Sequence, residues 1–304
     1  FAMHVTRLCL MLADHHYSSL TDSAARAPHI SQGYPLYANT RSNHCQKDSY
    51  SRLQDKPQSP LFNQTLDEHL LGVQAHATLV ARSLPNLAHS LPALKSHKPL
   101  KKRSADPRFA WQDKAADLAA SVRTRATQQG AFIVNMASTG CGKTLGNARV
   151  MNALADPATG MRCAFAMGLR TLTLQTGRVF QHDLQLSDEQ LAIQVGGAAS
   201  RALFEYWEQQ AEATGSASSQ ALLDEAGTVL YEGNDQHPLL QRLTDDAQAR
   251  ALIAAPLLVC TVDHLTPATE SLRGGRQIAP MLRLLTSDLV LDEPDDFDMA
   301  DLPA

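Results

Sequence analysis

Eight residues at positions 137–144, with the sequence Ala-Ser-Thr-Gly-Cys-Gly-Lys-Thr, constrain the fold of this chain most. Gly140 and Gly142 allow a tight turn in which successive backbone N–H groups point at phosphate oxygens. The apolar stretch 131–136 predicts a buried parallel strand before the turn. A helix predicted to begin near Lys143 directs its positive dipole end at the same phosphates. Strand, turn and helix in this order predict a phosphate-binding loop.

Most positions of this loop have a predicted role in holding a nucleotide. Lys143 is placed to reach the β- and γ-phosphates, and Thr144 is placed to hold the accompanying Mg²⁺. The residues predicted to surround the phosphates are Thr139, Gly140, Cys141 and Gly142. Ala137 stands where the strict pattern has its first glycine. The remaining form resembles the loop of superfamily 2 helicases, so ATP and Mg²⁺ are the predicted cofactors.

A second motif, Asp-Glu-Pro-Asp at positions 292–295, follows an apolar strand predicted over 288–291. In open α/β sheets, ligands bind at the carboxyl ends of the strands. Asp292 is predicted to hold Mg²⁺, and Glu293 to orient or deprotonate the attacking water. Together with Lys143, these are the predicted catalytic residues. Acidic residues after a strand are commonly solvated loop, so the motif gains its meaning from the phosphate loop.

Composition places the chain among ordinary globular proteins. Its 304 residues allow one large or two modest domains, with 44% hydrophobic and 19% charged residues. A net charge of −4 does not indicate nucleic-acid binding, yet motors can confine basic groups to a channel. Five scattered cysteines without a Cys-x-x-Cys pair predict a reducing cytoplasm. No apolar run approaches the roughly 18 residues of a membrane span, so no membrane partner is predicted.

The predicted secondary structure changes near residue 100, from helices alone to alternating strands and helices. Residues 1–90 are predicted all-α, 91–108 form a basic linker, and 109–304 alternate strands with helices. This alternation predicts an α/β fold, a RecA-like parallel sheet with helices on both faces. The predicted helices cover 65–84, 109–129, 169–180 and 202–213, and the predicted strands cover 161–167, 191–195, 257–262 and 288–291.

Three weaker signals accompany the two main motifs. Gln112 lies where superfamily 2 helicases carry an adenine-reading glutamine, whose amide can donate and accept. An ordinary surface glutamine is nearly as good an interpretation. Stretches 169–175 and 260–265 resemble helicase elements that contact the phosphates of single-stranded DNA without reading its sequence. The corresponding candidates are Arg170, Thr171, Gln175, Thr261 and Asp263.

These elements, in this order, resemble the CRISPR-associated helicase–nuclease of type I systems, most closely the subtype I-F form. The resemblance covers the whole chain and is strongest over 109–298. It implies an HD nuclease domain before two RecA-like lobes. It also implies that the nuclease cuts single-stranded DNA with metal ions and that the lobes translocate along it 3′ to 5′ using ATP. The implied partner is an RNA-guided surveillance complex.

The resemblance also interprets the N-terminal region as the last part of the HD domain. Residues 8–19 are similar to a late Ala-Asp-x-x-x-Ser helix, in which the aspartate binds a divalent transition metal. This implies Asp14 as a metal ligand. His69 and His76, on one helical face, are open to two readings: a metal ligand or a satisfied interface histidine. The rest of the metal site and the second lobe are expected outside this chain, so the chain alone is expected to be poorly active.

Three other functions are compatible with the same sequence. Another superfamily 2 DNA or RNA helicase could carry an unrelated N-terminal region. A non-catalytic nucleotide-binding scaffold could retain the loop only as a docking surface, although the intact catalytic residues disfavour it. A small-molecule kinase with a phosphate loop is disfavoured by the long separation of the two motifs and by the helicase-like elements between them.

Overall fold

The computed structural model describes residues 2–31, 33–41, 61–138, 140–168, 170–195, 228–243, 246–269 and 277–294. Three predicted features lie outside these residues: the helix over 202–213, Thr139 of the phosphate loop, and Asp295 of the acidic motif. The chain divides into two compact units, Phe1–Pro85 and Asn86–Ala304. None of the described helices is both long and apolar enough to cross a membrane.

The first unit is mainly helical. Its elements are α1 (Ala2–Ser19), α2 (Ser23–Arg26), a 3-10 turn (Ala27–His29), β1 (Thr40–Arg41), β2 (Leu61–Phe62) and α3 (Leu66–Ser90), and β1 pairs antiparallel with β2. Helix α3 begins at Leu66, one residue after the predicted start at Thr65, and it continues past the predicted end at residue 84 to Ser90. Assignment of this unit to an HD domain stays a prediction.

A buried polar cluster joins α1, α2 and α3. The Arg26 guanidinium donates to both carboxylate oxygens of Glu68, at 2.6 and 3.1 Å. The Tyr17 hydroxyl donates to Glu68 Oε1 at 3.4 Å, and burial, followed by the nearby Glu68 charge, raises the pKa of Tyr17 to about 12. A Cβ at Gly72 would lie 2.1 Å from the Tyr17 ring. The close packing of α1 on α3 therefore requires glycine there.

Three histidine rings pack against Tyr17 in the same unit, with ring centroids 5.8 Å away for His29 and His76 and 6.0 Å away for His69. His16 packs in turn against His76 in a tilted arrangement, with ring centroids 4.5 Å apart. Burial lowers the pKa of His76, and the neighbouring His16 and His29 lower it further. This packing therefore favours the neutral ring of His76.

We expect acidification to loosen the first unit through His76. Since the pKa of His76 is lower in the folded state, the unfolded state binds more protons below about pH 6.5. Stability is complete above that pH and declines as the pH falls toward the folded-state pKa. Hydrogen-exchange protection of α1 amides, corrected for intrinsic rates, should drop less between about pH 7.5 and pH 5.5 in His76→Gln than in the wild type. The exposed His4→Gln is the control, and an equal drop in all three proteins would contradict this role.

The second unit contains a five-stranded sheet. Its strands are β3 (Cys163–Met167), β4 (Leu191–Val195), β5 (Thr228–Leu230), β6 (Leu257–Thr261) and β7 (Asp288–Asp292), in the spatial order β5-β4-β6-β3-β7. All neighbours pair in parallel except β5, which runs antiparallel to β4. The expectation of a wholly parallel sheet is therefore wrong for β5. An antiparallel edge strand on a parallel sheet is a common arrangement.

Helices surround this sheet. They are α4 (Lys98–Lys101), α5 (Ala110–Gln129), α6 (Lys143–Leu154), α7 (Arg170–Asp183), α8 (Pro238–Leu243), α9 (Ala247–Ala254) and α10 (Ile278–Leu285), with 3-10 turns at Pro107–Phe109, Val262–His264 and Thr266–Ala268. Helix α5 ends at Gln129, where the sequence predicts its end, and Gly130 follows as the C-cap with a φ of 76°. Helix α6 begins at Lys143, also as predicted.

Both faces of the sheet carry a core. Alternate side chains of β3 show the division: Phe165 and Met167 pack in a cluster with residues of α6 and α7, whereas Ala164 and Ala166 pack in a second cluster with residues of α9. Leu284 of α10 packs against the second cluster. The chain is thus an α/β protein with helices on both sides of a mixed sheet.

Two arginines lie inside the second unit. Arg283 of α10 is fully buried, and its guanidinium donates to the carbonyls of four residues around the end of α9 and the start of β3, namely Leu252, Ala255, Pro256 and Cys163. Burial lowers the pKa of Arg283 to about 10 and that of Arg162 to about 8. Both values remain above neutrality, so both side chains are cationic at pH 7.

The predicted linker 91–108 packs within the second unit. The backbones of Leu94 and Met161 exchange two hydrogen bonds of 2.9 and 3.0 Å, and the side chains of Leu94 and Leu100 are buried. The apolar residues of this segment therefore belong to the core of the α/β unit, and α4 forms part of its surface.

The strand predicted over 131–136 is not formed. This segment has no regular secondary structure, with Phe132 95% exposed and Met136 90% exposed. A strand exists only where a neighbouring strand pairs with its N–H and C=O groups. Within the described part of the chain, β7 is the last strand of the sheet and pairs only with β3.

Candidate nucleotide-binding site

The phosphate loop has the backbone geometry that the sequence predicts. Gly140 and Gly142 have φ values of 78° and 71°, in the left-handed region that glycine adopts without strain. Gly142 is the N-cap of α6, so the free N–H groups of the first helical turn lie directly after the loop. A helix N-terminus preceded by such a turn attracts phosphate oxygens.

The fold brings the two distant motifs into direct contact. Thr144 Oγ1 donates to Asp292 Oδ2 at 2.6 Å, although 148 positions separate them in the sequence. Asn147, one turn further along α6, donates from Nδ2 to Asp292 Oδ1 at 3.2 Å. Asp292 is only 5% exposed, so both carboxylate oxygens are held in fixed positions. Hydroxyl and carboxylate oxygens are hard ligands of the kind Mg²⁺ prefers, so these residues fit the predicted cation.

Lys143 and Glu293 form the outer part of the site. Lys143 Nζ lies 3.9 Å from Glu293 Oε1, and both side chains are partly exposed. Glu293 has a positive φ of 53°, which is uncommon for a residue with a side chain. Such backbone strain is concentrated at functional sites. The arrangement leaves one cation and one carboxylate accessible beside the hydrogen bond between the half-buried Thr144 and the buried Asp292.

Gln112 of α5 also reaches the loop, but it is oriented toward the loop backbone. Its Nε2 donates to Gly142 O at 3.0 Å, and Trp111 Nε1 donates to Cys141 O at 3.1 Å. Gln112 is 5% exposed. The structure therefore places this residue beside the loop and buries it, unlike an ordinary surface glutamine, and its use in reading adenine stays a prediction.

Two asparagines of the site were missed from sequence. Asn135 donates from Nδ2 to Asn147 Oδ1 at 2.7 Å, and its own Oδ1 accepts from the backbone N–H of Ala137 at 3.1 Å. The chain from Asn135 through Asn147 to Asp292 thus connects the entry of the loop with the acidic motif. Asn147 could have been found, because it is four residues after Lys143 and on the same helical face. No sequence signal marks Asn135.

Most of the nucleic-acid candidates follow the carboxyl ends of β3 and β6, and Gln175 lies further along α7. The register pairs Met167 with both Thr261 and Asp292, so the carboxyl ends of β6, β3 and β7 are level. Asp263 and Gln175 are exposed. Thr261 is buried, and its hydroxyl lies 2.8 Å from His264 Nδ1. Arg170 and Thr171 begin α7, and their side chains lie outside the described part of the structure.

Two curated proteins are similar to the chain over its full length. Both are named CRISPR-associated nuclease/helicase Cas3 subtype I-F/YPEST. The protein from Pseudomonas aeruginosa strain UCBPP-PA14 is 51% identical over 306 residues, which cover 100% of the chain and 27% of that relative. The protein from Pectobacterium atrosepticum strain SCRI 1043 is 47% identical over 309 residues, covering 99% and 26%. The chain belongs to this Cas3 family.

The match covers only a part of each relative. The chain spans about a quarter of the length of the Cas3 proteins it matches. No protein-family model matches the chain. The family assignment therefore rests on the two Cas3 relatives, and it agrees with the resemblance inferred from the loop and the acidic motif.

The Cas3 relatives are named nucleases as well as helicases, which directs attention to Asp14 in the first unit. Asp14 Oδ1 lies 3.0 Å from His69 Nε2, and the other ring nitrogen of His69 lies 3.0 Å from Gln64 Oε1. Both nitrogens of His69 therefore have protein partners, as the interface reading expects. Among the described residues, no three His, Cys, Asp or Glu side chains are grouped to hold a metal. Asp14 as a metal ligand stays a prediction.

Proposed function

We propose that this chain forms the ATP-binding half of a motor that translocates along single-stranded DNA. The Thr144–Asp292 hydrogen bond of 2.6 Å carries the proposal, because it joins the two motifs that hold and hydrolyse Mg·ATP in such motors. A chance glycine-rich turn would not be expected to meet a buried carboxylate at the end of a parallel strand. The two Cas3 relatives, both named nuclease/helicase, support the same function.

The residues present divide the chemistry among them. Lys143 would leave Glu293 for the β- and γ-phosphates, since the polyanionic phosphate chain attracts an ammonium more strongly than one exposed carboxylate does. Glu293, released from the lysine, would orient or deprotonate the attacking water. Thr144 and Asp292 would hold Mg²⁺, which supplies charge neutralisation on the phosphates when it is bound.

The proposed function also includes binding of single-stranded DNA and, in the whole protein, a nuclease. Single-stranded DNA would lie along the level carboxyl ends of β3 and β6, near the exposed Gln175 and Asp263 and the start of α7. The whole protein would carry a metal-dependent HD nuclease, with Asp14 among its ligands. It would degrade foreign DNA in CRISPR interference after recruitment by an RNA-guided complex. The free, mostly buried thiols among the described residues support a cytoplasmic location.

Replacing Lys143 by alanine is expected to weaken Mg·ATP binding roughly tenfold or more, because a charge-assisted contact to the phosphates is lost. The measurement is titration of a fluorescent ATP analogue, with Mg²⁺, into the full-length protein and its variants. Lys114→Ala is the matched control, since Lys114 is an exposed lysine of α5. Unchanged affinity in Lys143→Ala would refute nucleotide binding at this loop.

A further inference from the structure

The carbonyl side of the phosphate loop is held by helix α5. Gln112 Nε2 donates to Gly142 O at 3.0 Å and lies 3.5 Å from Cys141 O. Trp111 Nε1 donates to Cys141 O at 3.1 Å. In a phosphate cradle, the N–H groups point toward the ligand and the carbonyls must point away from it. Helix α5 supplies the donors that hold these carbonyls on the far side.

Contact between α5 and the loop leaves no space for adjustment. A Cβ on Gly142 would lie 2.8 Å from Gln112 Nε2. A Cβ on Gly146 would lie 2.5 Å from the Trp111 ring. Glycine at both positions therefore allows the indole and the amide to touch the backbone of the loop and of the first turns of α6. A shift of either side chain would be transmitted to the loop.

The orientation of the Gln112 amide depends on Arg149 of α6. Arg149 Nη1 donates to Gln112 Oε1 at 3.2 Å. A guanidinium has only donors, so it selects the orientation in which the amide oxygen faces the arginine and the NH₂ group faces the loop. Arg149 is itself fixed: it pairs with Asp113, and its Nη2 donates to Lys102 O at 2.6 Å. It is 7% exposed.

We propose that Arg149 is a positioning residue for the phosphate loop. It holds the Gln112 amide with its donors toward Cys141 O and Gly142 O, and it thereby keeps the loop N–H groups directed at the phosphates. The inference rests on the proposed nucleotide binding and adds a residue that touches neither the nucleotide nor the loop. Loss of Arg149 should weaken binding of the phosphates, and the loss of affinity should be the same whether or not the ligand carries a base.

A second arginine provides a matched control for packing. Arg123 of α5 donates from Nε to the Ala153 carbonyl of α6 at 2.8 Å, so it also joins these two helices. None of its described hydrogen bonds reaches the loop or Gln112. Loss of Arg123 should therefore report the general consequence of weakening the α5–α6 contact, whereas loss of Arg149 should report that consequence together with the positioning of the loop.

The experiment compares Arg149→Met and Arg123→Met in the full-length protein, well below their melting temperatures. Affinity is measured for Mg·ATP and for inorganic triphosphate with Mg²⁺. We expect Arg149→Met to weaken both ligands by the same factor, roughly tenfold, and Arg123→Met to leave both affinities near the wild-type value. Arg149→Lys, which keeps one donor group at this place, should recover part of the loss. Equal affinities in Arg149→Met and Arg123→Met, or a loss for ATP alone, would overturn the proposal.

Gln112→Glu tests the same contact if Arg149→Met does not fold. Glutamate can still accept from Arg149, but its second oxygen then faces the Gly142 carbonyl instead of donating to it. The same loss for both ligands is expected, and wild-type affinity would overturn the proposal. Lys143→Ala separates the two ideas: if it weakens binding while the Arg149 and Gln112 variants do not, only the positioning role fails. If Lys143→Ala does not weaken binding, the proposed function itself fails.

Discussion

Replacing Glu293 by glutamine is expected to slow ATP hydrolysis by roughly 10²–10⁴-fold and to leave nucleotide binding intact. Glutamine has the same shape, so the position after β7 and its left-handed backbone can be kept. It cannot accept a proton from water, and its neutral amide orients water less strongly than a carboxylate does. Lys143, Thr144 and Asp292, which are the residues proposed to hold Mg·ATP, are unchanged.

The measurement is DNA-stimulated phosphate release by the full-length protein, together with the affinity for Mg·ATP. Glu189→Gln is the matched control, because Glu189 is exposed and precedes β4, at the opposite end of the sheet from the site. Affinity should stay within about threefold of the wild-type value, or even rise, because Lys143 no longer has the carboxylate as an alternative partner. Hydrolysis at the wild-type rate would remove Glu293 from the chemistry, and loss of binding would make it a binding residue.

The parts of the site that could be predicted from sequence are those fixed by local chemistry. Left-handed Gly140 and Gly142, the start of α6 at Lys143 and the position of Asp292 at the end of a parallel strand all follow from residues adjacent in the chain. The same is true of β4 and of the Gly130 cap of α5. In each case a glycine, a helix start or a short apolar run allows few alternative conformations.

The strand predicted over 131–136 shows where local reasoning stops. Its apolar, β-branched pattern indicates only that the side chains suit a strand, whereas strand pairing depends on two segments. The described structure leaves Phe132 and Met136 exposed beside a sheet whose last strand is β7. Hydrophobic pattern alone could not indicate which strand would be its neighbour. The predicted parallel direction is wrong at β5 for the same reason, because the antiparallel pairing of β5 with β4 depends on the path of the chain between them.

The remaining part of the site depends on contacts between distant segments. Asn135, Asn147 and Arg149 have ordinary sequence surroundings, and each acquires its role only when α5, α6 and β7 come together. A buried arginine in a helix is the least expected of them, since arginine is seldom buried without partners. Its partners, Asp113 and Gln112, are adjacent on α5, and together they account for its burial.

Loss of Arg283 should strongly destabilise the second unit. We expect Arg283→Met to lower the free energy of unfolding by roughly 3–5 kcal/mol. Methionine can fill much of the volume but offers no donor, so the carbonyls of Leu252, Ala255 and Cys163 would lose the guanidinium that they share. The Pro256 carbonyl would keep the Cys163 N–H as a donor. A buried carbonyl without a donor costs free energy comparable to a lost hydrogen bond.

The place of Arg283 explains why this loss should extend to the site. A cation at the end of α9 is favoured by the helix dipole, and it faces the carbonyls that the last turn of a helix leaves unpaired. The same guanidinium binds Cys163 O at the start of β3, which pairs with both β6 and β7. Denaturant unfolding of the full-length protein, followed by hydrogen exchange in β3 and β7, should show the destabilisation in Arg283→Met and not in the exposed Arg125→Met. A change below about 1 kcal/mol would mean that water or a backbone shift satisfies these carbonyls. If the full loss of roughly 3–5 kcal/mol is observed, the stability of β7, the strand that presents Asp292 to Thr144, depends on an arginine at the opposite end of the sheet.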